Sequence, residues 1–212
     1  GPTREYIDPV RYISNESSGK QGYEIALALS KLGIKTTLVI GPSNLITQKN
    51  IKTKKIVTAD EMFVEVKKSL PVDVAICTAA VSDFKPLRKN KNKLKKDKTI
   101  IKSIPIEKNK DILEYLSKNN EDRPKLVVGF SAETEDLNKN SLIKLKKKNC
   151  DLIIANDVSK KDKGFNSDYN EVSIIDNNGN IKIIKKNKKS YVAGKIAEII
   201  LDKLLIDDRN FN

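Results

Sequence analysis

The sequence contains no histidine and no tryptophan, and only two cysteines, Cys77 and Cys150. Without histidine, the commonest general base near neutral pH and a frequent zinc ligand are both gone. Two distant cysteines make neither a disulfide framework nor a metal-ligand pair, which points to a reducing, cytoplasmic setting. No stretch approaches the roughly 20 consecutive apolar residues of a membrane-spanning helix, so no membrane partner is expected. Aromatic residues are 5% of the chain, and neither a base-stacking motif nor a helix-turn-helix pattern is present, which disfavours nucleic acid. The glycine fingerprint G-x-G-x-x-G is missing. Gly19-Lys20 is no P-loop either, because Gln21 replaces the required Ser/Thr and no glycine stands five residues before Gly19.

What remains is ample for one domain. The 212 residues are 38% hydrophobic, enough for a real core. Lysine and arginine number 41 against 28 acids, a formal charge of +13. That balance favours anionic partners, but lysine is abundant throughout, and net charge speaks to association rather than fold.

Periodicity predicts alternating elements. A helix spans residues 22–32, closed by Gly33, and a β-branched strand spans 36–40. Thr58 or Asp60 caps a helix running to about Leu70. Residues 72–78 read as a strand buried on both faces. A lysine-rich loop covers 85–98, followed by a strand at 99–104 and a helix at 111–117. Further strands are expected at 126–130 and 151–155, with a helix at 135–148 between them. Residues 172–175 and 181–184 flank Asp176-Asn177-Asn178-Gly179, a hairpin signal, and an amphipathic helix at 190–205 precedes a frayed tail. The expected fold is α/β: a Rossmann-like, doubly wound and mostly parallel sheet with an appended β-hairpin. Such domains open with a strand feeding the first turn, whereas this sequence opens with Gly1-Pro2-Thr3-Arg4-Glu5. The first strand is therefore expected to be missing, through truncation of a longer parent, leaving an open central slot.

Ligands of open α/β sheets sit beyond the carboxyl ends of the strands, where four polar segments fall. Ser14-Asn15-Glu16-Ser17-Ser18-Gly19-Lys20 leads into a helix, and its small residues let an anion approach the backbone; an ordinary capped turn has the same composition. Thr78-Ala79-Ala80-Val81-Ser82-Asp83 ends in a carboxylate suited to ribose hydroxyls or to capping a helix. Lys93-Leu94-Lys95-Lys96 offers a lysine to neutralise charge in phosphoryl or nucleotidyl transfer, or simply a solvated run. Lys144 and Lys148 share a helix face, a spacing that describes a solvated surface as well as a triphosphate clamp. Phe130 covers a base or belongs to the core.

Taken together these segments resemble the phosphopantothenoylcysteine synthetase family, the ligase half of a bifunctional coenzyme A biosynthesis protein. The resemblance rests on Asp8-Pro9-Val10-Arg11-Tyr12-Ile13-Ser14-Asn15-x-Ser17-Ser18-Gly19-Lys20-x-Gly22, Ala79 to Phe84, Lys93 to Lys96, Val128 to Thr134, Asp151 to Val158 and Gly164 to Asp168. It implies that residues 1–212 form one ligase domain joining 4′-phosphopantothenate to L-cysteine. The carboxylate would attack the α-phosphate of CTP, giving an acyl-cytidylate and pyrophosphate; the cysteine amine would then displace CMP. Such chemistry needs positioning and charge neutralisation more than a strong base.

By the same resemblance Asn15 would be catalytic, hydrogen-bonding the acyl-cytidylate carbonyl, and Lys93 would stabilise nucleotidyl transfer. Ala79, Ala80, Asp83, Lys93, Asn109, Lys110, Asp111, Ile112, Phe130, Lys144 and Lys148 would bind CTP. Lys110 stands where the family has proline. Arg11, Asn15, Ser17, Ser18, Gly19 and Lys20 would hold phosphopantothenate or the acyl-cytidylate. Mg²⁺ would arrive on the triphosphate without direct protein ligands. The resemblance also implies a homodimer, touching through the hairpin and residues 164–170, and a flavin-dependent decarboxylase fused or associated in the parent. Cys77 and Cys150 match no catalytic position and read as buried, small and apolar. An NAD(P)-dependent oxidoreductase on the same fold is the alternative, weakened by the absent glycine fingerprint; a basic nucleic-acid-binding module is a weaker one.

Overall fold

A computed structural model describes residues 1–95, 103–118, 121–133, 135–157 and 167–209. Among the expected features, Lys96, residues 99–102, Thr134, Val158, residues 164–166 and the last three residues lie outside them.

The chain opens with two short paired strands, β1 (Glu5–Tyr6) and β2 (Tyr12–Ile13), then α1 (Lys20–Lys31), β3 (Thr37–Ile40), β4 (Lys52–Lys55), α2 (Ala59–Lys67) and β5 (Val74–Cys77). It continues through β6 (Phe84–Pro86), β7 (Ile106–Lys108), α3 (Ile112–Lys118), β8 (Leu126–Glu133), α4 (Leu137–Lys148) and β9 (Leu152–Asp157). The last elements are β10 (Tyr169–Asp176), β11 (Ile181–Lys188) and α5 (Lys189–Arg209).

Local chemistry accounts for the best-defined boundaries. Gly33 takes φ 80°, a left-handed turn that ends α1. Thr58 caps α2 through a reciprocal box: its hydroxyl accepts from the Glu61 amide at 3.2 Å, and the Glu61 carboxylate accepts from the Thr58 amide at 3.3 Å. The buried Glu5 carboxylate, from the opening strap, accepts from Ala59 N at 2.9 Å and adds an anion at the positive end of that helix.

The main sheet has five strands in the order β11-β10-β9-β8-β5. β5, β8 and β9 run parallel, while β9, β10 and β11 alternate in direction. The sheet is thus mixed rather than mostly parallel, because the expected hairpin adds to its edge as two full strands. Val127, Val128, Ile153 and Ile154 are wholly buried, since helices cover both faces: α1 and α5 one, α3 and α4 the other. β3 and β4 form a separate parallel pair.

Three expectations need correction. β5 is only partly buried along its length, not enclosed on both faces, because it is the edge of the five-stranded sheet and faces a deep cleft. β4 went unread because its sequence is Lys-Thr-Lys-Lys, which carries no apolar alternation. The start of the span read as a lysine-rich loop is a short strand, Phe84–Pro86, paired antiparallel with Ile106–Lys108 just beyond the expected strand at 99–104, most of which lies outside the described residues.

Candidate active site

A cleft of about 1920 Å³ opens between the β3–β4 pair and β5 and runs over the carboxyl ends of β5 and β8. Apolar residues such as Leu38, Ile40, Met62 and Ile76 line its depth, and polar loops line its crown. The irregular first residues are what organise that crown. Pro2 bridges Ala80 in parallel, and Ala80 N donates to Gly1 O at 3.2 Å. Thr3, wholly buried, accepts from Ser82 N through its hydroxyl at 3.1 Å, and its carbonyl takes the Ser14 hydroxyl at 2.7 Å. One strap thereby ties the loop after β5 to the loop before α1.

Asn15 lies on that second loop and lines the cleft. Its Nδ2 donates to the Val81 carbonyl at 2.9 Å, which spends one of two amide protons and leaves the other for a ligand. Ser17, Ser18, Gly19 and Lys20 line the same recess. Gly19 adopts φ 73° at the N-cap, and the first turn of α1 holds no acidic residue, so the amide end keeps its positive field. Gly22 has a spatial reason to be glycine: a Cβ there would collide with Thr78 Oγ1 at the end of β5. Lys20 forms an ion pair of 2.6 Å with Asp168, whose carboxyl is held below its ordinary value by that hydrogen bond and charge.

The segments expected to hold a nucleotide converge on the other half of the cleft. Ala79, Ala80, Asp83, Asn109, Lys110, Asp111, Ile112, Phe130, Lys144 and Lys148 all line it. Asn109 organises this half: its amide N donates to Asp83 O at 2.9 Å and its Nδ2 to Ser82 O at 2.8 Å. Its buried Oδ1 has no hydrogen-bond partner among the described residues, and neither has Asn156 Oδ1 at the end of β9. Such acceptors are costly unless a ligand or water supplies a donor. Lys144 Nζ donates to Phe130 O at 2.9 Å, which fixes its ammonium at the end of β8.

Lys148, one turn further, is engaged: it contacts Asp111 at 2.6 Å and Glu114 at 3.2 Å. Burial opposes its charge, but those two carboxylates outweigh burial and raise its pKa. The helical spacing predicted a shared face correctly; the acids at the start of α3 that occupy Lys148 were not legible from α4.

Two predicted residues stand apart. Lys93 is exposed on the basic loop and does not line the cleft. Arg11 does not line it either; its guanidinium reaches Asp8 at 3.3 Å and the Leu94 carbonyl at 3.1 Å. Sequence reading missed Asn156, Asn170 and Lys189, which all line the cleft. Asn170, 1% exposed, donates to Gln21 Oε1 at 3.1 Å and so docks the start of β10 on α1. Lys189 is buried, and its pKa is lowered first by burial and then by the nearby Lys20 charge. A lysine at the start of a helix, beside a polar Asp168-Tyr169-Asn170 run, was the available signal.

No group of three or more His, Cys, Asp or Glu side chains able to hold a metal occurs among the described residues. Cys150 is buried as expected, whereas Cys77 is half-buried at the cleft. Burial pushes the Cys77 thiol up to about 12 and the Cys150 thiol up to about 11. Both are therefore expected to resist a thiol reagent at pH 8 in the folded protein and to react on unfolding. Rapid native-state labelling, followed by absorbance, would contradict this.

Comparison with known proteins agrees with this architecture. The family model described as "DNA/pantothenate metabolism flavoprotein C-terminal domain" matches residues 1–204. The coenzyme A biosynthesis bifunctional protein CoaBC of Haemophilus influenzae is 41% identical over 201 residues, covering 94% of this chain and 50% of that protein. Its Escherichia coli K12 counterpart is 39% identical over 215 residues, covering 99% and 52%. The chain thus spans about half the length of these relatives. A crystal structure of the C-terminal domain of CoaBC superimposes with TM-score 0.80 at 33% identity, covering 98% of this chain and 93% of that one. A Cab2 mutant complexed with phosphopantothenate-cysteine shares the fold, with TM-score 0.77 at 15% identity. On the matched model and these relatives, the chain belongs to the family of DNA/pantothenate metabolism flavoprotein C-terminal domains.

Proposed function

We propose that this chain is the phosphopantothenate–cysteine ligase of coenzyme A biosynthesis, using CTP and forming an acyl-cytidylate. The observation that carries the reading is the meeting in one cleft of two polar halves: the Asn15–Lys20 loop at the N-terminus of α1, and the Asp83, Asn109, Phe130 and Lys144 constellation. One half suits an acid with a phosphate tail; the other suits a nucleoside triphosphate.

In this reading Lys144 and Lys148 neutralise the triphosphate, and Lys148 exchanges Asp111 and Glu114 for phosphate oxygens. Asp83 accepts from the ribose, and the orphaned Asn109 oxygen takes a donor from the nucleotide. Lys20 and Lys189 supply the positive surroundings for the phosphate of the acid. Asn15 gives its second amide proton to the acyl carbonyl, holding the intermediate and then stabilising the oxyanion as cysteine attacks. Magnesium, when bound, supplies further charge neutralisation on the triphosphate. An ion carried by phosphate oxygens would need few protein ligands.

The bifunctional relatives support a fused or associated flavin-dependent decarboxylase as partner. A homodimer is supported by β11, an edge strand exposing Ile181 and Ile183. No helix among the described residues is long and apolar enough to cross a membrane, and we place the enzyme in the cytoplasm.

The test is pyrophosphate release with 4′-phosphopantothenate and each of the four nucleoside triphosphates, followed by addition of cysteine. The expected result is release with CTP above the others and phosphopantothenoylcysteine once cysteine is present. Equal turnover with all four, or none, would overturn the CTP assignment. Tight NADPH binding without pyrophosphate release would favour the oxidoreductase reading.

A further inference from the structure

The exposed loop bearing Lys93 is tied down at one point. Leu94 N donates to Asp8 Oδ2 at 3.2 Å, and Leu94 O accepts from Arg11 Nη2 at 3.1 Å. Both backbone groups of the residue next to Lys93 are thereby held by one motif. Asp8 has no solvent exposure, and its other oxygen, Oδ1, accepts from Val10 N at 2.8 Å and Arg11 N at 2.9 Å, closing the turn that carries Arg11. The Arg11 guanidinium returns to Asp8 Oδ2 at 3.3 Å. Asn90 adds a second tether, its amide N donating to Ile7 O at 2.9 Å. The same strap reaches the cleft through the Ser14 hydroxyl on Thr3 and through Asn15 on Val81. Lys93 is thus connected to the Asn15 crown through Asp8.

We infer that Asp8 is a positioning residue: its two carboxylate oxygens clasp Leu94 to the Asp8–Arg11 turn and so anchor the loop from which Lys93 would act on the reacting phosphate. This rests on the function proposed above. An ionised carboxylate is required, because its partners Val10 N, Arg11 N, Leu94 N and the Arg11 guanidinium are all donors, and an acceptor of up to four hydrogen bonds has no substitute among neutral side chains. Burial acts to raise its pKa, but the amides of Val10, Arg11 and Leu94 and the Arg11 charge outweigh burial and hold it low, consistent with that state.

Asp8→Asn separates the two tasks of the carboxylate. Its Oδ1 still receives the Val10 and Arg11 amides, whereas its Nδ2 meets the Leu94 amide and Arg11 donor to donor. Arg11→Met removes the grip on the Leu94 carbonyl without touching the turn. Both are compared with the parent chain and with Lys93→Gln. Three quantities are read: deuterium exchange at Leu94, pyrophosphate release from CTP and phosphopantothenate, and cysteine ligation from separately prepared acyl-cytidylate.

Asp8→Asn is expected to lose Leu94 protection and at least about tenfold in pyrophosphate release, about 1.4 kcal/mol, with the KM for CTP within about twofold. Ligation from the acyl-cytidylate should be unchanged. The double variant with Lys93→Gln should be little worse than Lys93→Gln alone, since one acts through the other. Additive losses, or equal loss in both half-reactions, would overturn the positioning role. A parent chain releasing no pyrophosphate would overturn the functional reading instead, and exchange at Leu94 would still decide whether Asp8 holds the loop.

Discussion

Asn15→Ala is expected to release pyrophosphate from CTP and phosphopantothenate near the parental rate, yet to form the ligated product about 10²-fold more slowly or worse. Asn15 faces the cleft with one amide proton on Val81 and one available, so its removal leaves the nucleotide half of the cleft intact. What is lost is the donor toward the acyl carbonyl, which matters most when that oxygen gains charge as the amine attacks. Acyl-cytidylate should therefore accumulate, stoichiometric with enzyme, and be visible by mass spectrometry after rapid quench. Equal loss in both half-reactions would place Asn15 among the loop's structural supports, through Val81 alone. Asn15→Asp refines the test, since it keeps the shape, removes both donors and brings a negative charge toward the developing oxyanion.

The parts of this fold legible in the sequence were those in which period and burial agree. β8 and β9 read as buried runs because helices cover both faces of the sheet at Val127 to Ile154, and Thr58 and Gly33 marked helix ends through capping chemistry that acts within four residues. β4 and β1 were illegible for the opposite reason. Lys52–Lys55 pairs on an outer edge where backbone bonds to β3 suffice, and Glu5–Tyr6 is a two-residue pairing whose buried Glu5 carboxylate serves a strap, not a core. Long-range partners also set exposure: nothing in Val74–Cys77 reveals that it flanks a cleft.

The site divides along the same line. Residues on the loops at strand ends and helix starts, such as Asn15, Asp83 and Asn109, converge because the topology of an open sheet brings those ends together. Side chains whose role depends on a partner far along the chain were not foreseeable: Lys148 is engaged by acids on α3, Arg11 by Asp8 and Leu94, and Asn170 by Gln21. A motif supplies residue types at a spacing. It does not state which of them face the ligand and which hold the others in place, and Arg11 belongs, in this structure, with the second group.

Lys93→Gln is expected to act on the other half-reaction from Asn15, cutting pyrophosphate release by about 10² to 10³-fold, the usual cost of removing one preorganised group from developing charge. Glutamine keeps length and hydrogen-bonding capacity, so the loss measures charge alone. Lys93 is exposed, lies on a loop clasped at Leu94 and does not line the cleft, so the variant tests directly whether its charge acts on the reacting phosphate. The loss belongs to kcat: KM for CTP should move by less than about threefold, because Lys144 and Lys148 still meet the triphosphate. Added salt should slow the parent chain more than Lys93→Gln, since a solvent-exposed charge is screened within about 10 Å at 0.1 M ionic strength. Parental pyrophosphate release in this variant, at low salt and saturating CTP, would show that the lysine run is only a solvated surface and would move nucleotidyl transfer entirely onto α4.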